Sequence, residues 1–153
     1  MMAATVDHND LPVLIEESLS FEQRKFVSKT DILFFGDNYA YIGDTYEKLY
    51  EQNPALNKTT AKDFIFNLYT NHELEQTFLK EKWKIEELLA LLLKKISIDV
   101  KKLIGTDSQN FVYVIPLGLE SKSKRIIRTA FEINNQTLID FLPAPHAAII
   151  GYN

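Results

Sequence analysis

The sequence predicts an α+β fold, and three observations carry that reading. The run from Ala55 to Ile104 holds neither proline nor glycine and is fenced by Asn53-Pro54 and Gly105. Short aromatic and β-branched runs, separated by turn residues, precede it. After Gly105 the apolar pattern changes from helical to alternating, which suits strands. The expected order is short N-terminal β elements, a central helical block with one long buried helix, and a C-terminal antiparallel meander of three to four strands.

A chain of 153 residues, 46% apolar and 25% charged, has the make-up of one ordinary globular domain. Residues 1–10 read as a flexible arm and residues 11–153 as a single domain. Leu11 to Ile15 suits a short strand, with Pro12 confining it to an edge or a start. Ser20-Phe-Glu-Gln23 has capping-box spacing and opens a short helix to Val27.

Asp31 to Gly43 reads as a hairpin, because Gly36-Asp37-Asn38 tolerate the positive φ of a tight turn. Asp44 is the N-cap of a helix that reaches Gln52 and stops before Asn53-Pro54. Thr60 to Asp63 opens another, with Phe64, Ile65 and Leu68 at helical spacing. The capping-box spacing of Thr70 to Glu73 ends that helix near Tyr69 and starts a new one at Asn71.

Along that helix the stripe is Leu74, Phe78, Ile85, Leu89, Leu92, Ile96, Val100 and Leu103. The step from Phe78 to Ile85 passes over the polar pair Glu81-Lys82, so a bend is expected there. From about Lys84 to Ile104 the segment is apolar on more than one face and forms the spine of the domain. Gly105 supplies the C-terminal stop.

Phe111 to Ile115 is a strand ended by Pro116 and Gly118. Lys124 to Ile133 alternates, with Ile127, Thr129, Phe131 and Ile133 on one face, and reads as the second strand of the meander. Asn134-Asn135 is the next turn, Thr137 to Leu142 the third strand, and Ala147 to Tyr152 a short fourth.

Composition excludes several function classes. The chain has no cysteine, hence no disulfide, thiolate metal site or cysteine nucleophile. Its five glycines are scattered, so no phosphate-cradling loop or dinucleotide fingerprint forms. No serine sits in a nucleophile-elbow sequence. His8, His72 and His146 lack metal-ligand spacing, and neither metal nor cofactor is expected. The longest uninterrupted apolar run, Leu88 to Leu93, is far short of a membrane span, and the N-terminus lacks signal-peptide features; a soluble, cytoplasmic chain is expected.

Charge is unevenly spread. Residues 1–53 carry 10 acids and 4 bases, whereas residues 54–153 carry 11 acids and 13 bases. An acidic front half with Tyr39, Tyr41, Asp44, Tyr46, Glu47 and Tyr50 suits a protein partner with a basic surface. The functional expectation is therefore a non-enzymatic protein-binding domain. Its most concrete form is an immunity- or antitoxin-type inhibitor of a basic toxin or nuclease.

The alternative is a small metal-independent ribonuclease built on a basic hairpin, Gly118 to Arg125. There His146 would be the general acid or base, Arg125 and Arg128 would grip phosphate, and Tyr113 would stand on a neighbouring strand. Nucleic acid is a partner only in that reading. A third reading is a mobile-element accessory protein that acts as an oligomer.

Overall fold

The computed structural model describes residues 4–6, 12–14, 30–35, 39–43, 48–49, 51–52, 54–55, 60–70, 75–78, 81–107 and 110–151. The architecture is mixed α and β, as expected. Strand β1 (Ala4–Val6) pairs antiparallel with β2 (Pro12–Leu14). The helix expected over Phe21 to Val27 lies outside the described residues.

The expected hairpin is present. Strands β3 (Ile32–Phe35) and β4 (Tyr39–Ile42) pair antiparallel, with Ile32 opposite Ile42 and Phe35 opposite Tyr39. A two-residue strand β5 (Thr60–Ala61) adds to the other edge of β3, giving the order β4-β3-β5. Residues 48, 49, 51 and 52 are helical, where the Asp44-capped helix was expected. Helix α1 (Phe64–Thr70) then buries Phe64 and Leu68, which share a face because they are one turn apart.

Where the new helix from Asn71 was expected, residues 75–78 and 81–84 are strands, and residues 71–74 lie outside the described residues. Strands β6 (Glu75–Phe78) and β7 (Glu81–Lys84) make an antiparallel ribbon instead. The polar pair Glu81-Lys82 would have stood on the buried stripe of a helix. In the ribbon both residues are exposed, and Lys82 Nζ meets Glu75 Oε2 at 3.2 Å. Trp83, on the same strand, sets its ring 5.0 Å from Phe34 and ties the ribbon to the β3–β4 hairpin.

Helix α2 (Ile85–Ile104) is the expected spine. Glu87 accepts a 2.7 Å hydrogen bond from the backbone N–H of Lys84, closing the N-terminus, and Glu86 and Glu87 oppose the positive end of the helix dipole. At the other end Gly105 adopts φ 78° and donates its N–H to Lys101 O at 2.8 Å. Ile85, Leu88, Leu89, Ala90, Leu92 and Leu93 of α2 lie in one core with Ile32, Phe34, Phe64, Leu68, Ile127 and Phe131. Each leucine, isoleucine and phenylalanine among them contributes about 1.5–3 kcal/mol on burial.

The C-terminal meander is replaced by a parallel unit. Strand β8 (Asn110–Ile115) leads through a short loop to helix α3 (Ser121–Ile133), and strand β9 (Thr137–Pro143) returns parallel to β8. Lys124 to Ile133, read as a strand, is helix. Its buried positions Ser123, Ile127, Ala130 and Phe131 fall at i, i+4, i+7 and i+8. Ile127 and Phe131 are four apart, and four satisfies both a two-residue and a 3.6-residue period, so the alternation is ambiguous there.

Asn134-Asn135 closes a helix, not a hairpin. Asn135 takes φ 56° and donates its N–H to Glu132 O at 3.0 Å, while Gln136 N–H reaches Phe131 O at 3.0 Å. That is the Schellman pair of bonds. Ser123 Oγ donates to Leu68 O at 2.8 Å inside the core, fixing α3 against α1. The fourth strand is helix α4 (Ala144–Gly151). Pro145 lies in its first turn, where the missing N–H costs nothing and the fixed φ already suits a helix.

Candidate protein-binding surface

Strand β8 alternates. Phe111, Tyr113 and Ile115 turn toward the helices, and Phe111 and Tyr113 set their rings 5.4 and 6.2 Å from that of Phe131. Val112 and Val114 point the other way and are 53% and 49% exposed. The parallel register places Val112 beside Asp140 and Val114 beside Leu142. The pairing slips between Phe111 and Val112, leaving Ile139 as an extra residue of β9 that is 62% exposed.

Helix α4 follows β9 directly and packs against both strands. Its sequence, Ala-Pro-His-Ala-Ala-Ile-Ile-Gly, carries no acid, lysine or arginine and is apolar around most of its circumference. Such a helix ordinarily lies within a protein. Here Ile149 and Ile150 are 62% and 66% exposed.

A parallel strand pair is usually covered on both faces, because its crossover helix occupies one and a second layer the other. In this chain Phe131 of α3 and Tyr69 of α1 meet the face of Phe111 and Tyr113. The face of Val112 and Val114 stays in contact with solvent. Ile139, Ile149 and Ile150 are exposed as well, and Asp140, beside Val112, accepts the Phe141 N–H at 2.8 Å. Exposed apolar zones of this kind mark contact sites. No cluster of charge or aromatic residues marks this surface in the sequence. Its signal was the uncharged run from Ala144 to Ile150, which an amphipathic surface helix would not carry.

The residues of the ribonuclease reading are spread over three elements. Arg125 and Arg128 are exposed on α3, on the helix that replaces the expected basic hairpin. The Arg128 guanidinium lies 5.1 Å from the centre of the Phe141 ring. His146 is exposed in the first turn of α4. Among the described residues no hydrogen bond or ion pair joins these three. Tyr113 faces inward, its hydroxyl 3.2 Å from that of Tyr69. Burial, and then the neighbouring Tyr69, push the Tyr113 hydroxyl well above its ordinary pKa.

Of the expected partner-binding group, Tyr39 and Tyr41 stand on β4, at an edge of the β4-β3-β5 sheet, and Tyr41 is half-buried. Asp44, Tyr46, Glu47 and Tyr50 lie outside the described residues. No helix among the described residues is long and apolar enough to cross a membrane.

No family model matches the chain. It is similar to the chaperone protein dnaK1 of Nostoc sp. (strain PCC 7120 / SAG 25.82 / UTEX 2576), with 25% identity over 112 residues, 73% of this chain and 16% of that protein. The chaperone protein DnaK of Trichormus variabilis (strain ATCC 29413 / PCC 7937) is similar to the same extent, again 25% identical over 112 residues and covered over 16% of its length. The chain thus spans a small part of the chaperones it resembles.

Proposed function

We propose that the chain is a non-enzymatic protein-binding module akin to a portion of a DnaK-type chaperone, and that its contact surface is the outer face of β8 and β9 together with α4. The observation that carries this reading is the solvent exposure of Val112, Val114, Ile139, Ile149 and Ile150 on a parallel strand pair and an uncharged helix. The occupant that fits is a polypeptide presenting an apolar helical face, because a parallel pair with helices on one side takes helices on the other. A cytoplasmic location accompanies this reading.

The tyrosine and acid group of Tyr39, Tyr41, Asp44, Tyr46, Glu47 and Tyr50 is a second proposed contact, for a basic partner. It rests on the sequence pattern and on Tyr41 lying at a sheet edge. The inhibitor reading and the ribonuclease reading draw less support. Neither similar protein is named as an immunity protein or antitoxin, and Tyr113 is committed to Tyr69 and Phe131.

The test is fluorescence anisotropy with a labelled amphipathic peptide that is leucine-rich on one helical face. Binding should weaken at least about tenfold in a Val112→Lys, Ile150→Lys variant, since two apolar anchors are replaced by charges that must stay hydrated. Undiminished binding by a variant with an unchanged circular dichroism spectrum would contradict the surface assignment. Dimerisation of the wild-type chain, lost in the same variant, would instead identify the occupant as a second copy.

A further inference from the structure

A cleft of about 430 Å³ opens between the C-terminal half of α2 and the turn that joins α3 to β9. From α2 it receives Lys94, Ser97 and Lys101, which fall on one side of the helix at i, i+3 and i+7. Its apolar part is Ile98 and Ile133, 46% and 49% exposed.

The walls are held in place before any ligand arrives. Asn134 Nδ2 donates to Ala90 O at 2.7 Å, Gln136 Nε2 donates to Ser97 Oγ, and Ser97 Oγ donates to Leu93 O at 3.1 Å. The two Schellman bonds at Asn135 and Gln136 fix the turn itself. A site preorganised in this way loses little entropy on binding.

The charge of the lining selects the ligand. Two lysines face one carboxylate, Asp107, so one positive charge is left over. Lys101 Nζ lies 2.9 Å from Asp107 Oδ2, but both side chains are more than half exposed, and such a pair contributes little and exchanges readily. Lys94 makes no ion pair among the described residues. The negative end of the α3 dipole sits at the Asn134 side, which directs an anion toward the lysines and an uncharged body toward Ile133.

We propose that this cleft binds a carboxylate carried on a short aliphatic body, with Lys94 and Lys101 meeting the anion and Ile98 and Ile133 the hydrocarbon. A polypeptide ending in leucine and a free branched-chain acid share that chemistry. The assignment is independent of the apolar surface on β8, β9 and α4.

The experiment is an amide-resolved NMR titration of the ¹⁵N-labelled chain with three probes: N-acetyl-leucine, isovalerate and N-acetyl-leucinamide. Saturable shifts confined to residues 94–101 and 133–136 are expected with the two carboxylates. The neutral amide should bind about threefold more weakly, the effect of one lost exposed charge contact of roughly 0.6 kcal/mol, and Lys94→Gln should weaken the carboxylates by a similar factor. Tighter binding of N-acetyl-leucine than of isovalerate assigns the source to a chain terminus, and equal binding to the free acid. Absence of localised shifts, or equal binding of the neutral amide, would overturn the proposal.

Discussion

Helices α2 and α4 both carry apolar stretches, and those stretches meet opposite fates. The α2 stretch is enclosed: Leu88, Leu89 and Leu92 are at most 1% exposed, with α1, α3 and the β3–β4 hairpin around them. Helix α4 carries no acid, lysine or arginine, yet Ile149 and Ile150 face solvent. Leu88, Leu89, Leu92 and Leu93 of α2 are buried within the chain and stabilise the fold, whereas Ile98 and Leu103 farther along the helix are 46% and 47% exposed. Ile149 and Ile150 of α4 stay exposed, and on the proposed reading a partner covers them. Apolar character alone does not distinguish a core from a contact surface; the number of layers available to cover it does.

The comparison breaks most visibly under truncation of α2. Leu92→Ala should destabilise the chain by about 2–5 kcal/mol, measured by urea unfolding, because the cavity it leaves is enclosed by packed side chains. A loss near zero would mean that α2 is not the spine. Ser123→Ala removes the buried hydroxyl that holds Leu68 O and should cost about 1–3 kcal/mol, with the loss concentrated where α3 meets α1. Hydrogen exchange in α1 would locate it.

A smaller effect is expected at the end of α2. A Cβ on Gly105 meets nothing within 4 Å, so Gly105→Ala costs only the left-handed backbone strain, about 1–2 kcal/mol. The mildest effect depends on pH. Folding raises the Tyr113 pKa above its unfolded value, so the stabilisation is fully present below the unfolded pKa of about 10 and is lost as pH rises through the folded one. Stability should therefore fall in strongly alkaline solution, and Tyr113→Phe should flatten that part of the curve.

Much of the fold can be read from local pattern. The β3–β4 hairpin follows from its turn residues, α1 from Phe64 and Leu68, and the span of α2 from its apolar faces and Gly105. What escapes are choices that local pattern leaves degenerate. Ile127 and Phe131 satisfy both periods, so α3 resembles a strand until Ser123 and Ala130 are counted. Parallel and antiparallel pairing of β8 and β9 depend on whether the connection between them is a helix, so one misread segment changed the sheet. The ribbon β6–β7 has no glycine or proline at its ends, and its trace in the sequence was the polar gap at Glu81-Lys82. The candidate surface was missed for a related reason. Pro143 and Pro145 suggested an extended segment, whereas Pro145 in the first turn starts α4, and the exposed isoleucines follow from that helix.

The contrast between α2 and α4 is tested most directly by pairing stability with binding in one variant, Ile149→Lys, Ile150→Lys. The account expects a melting temperature within about 4 °C of the wild type, since exposed positions contribute little to stability, together with loss of binding to the apolar helical peptide. A collapse in melting temperature comparable to that of Leu92→Ala, or peptide binding as strong as that of the wild type, would contradict it.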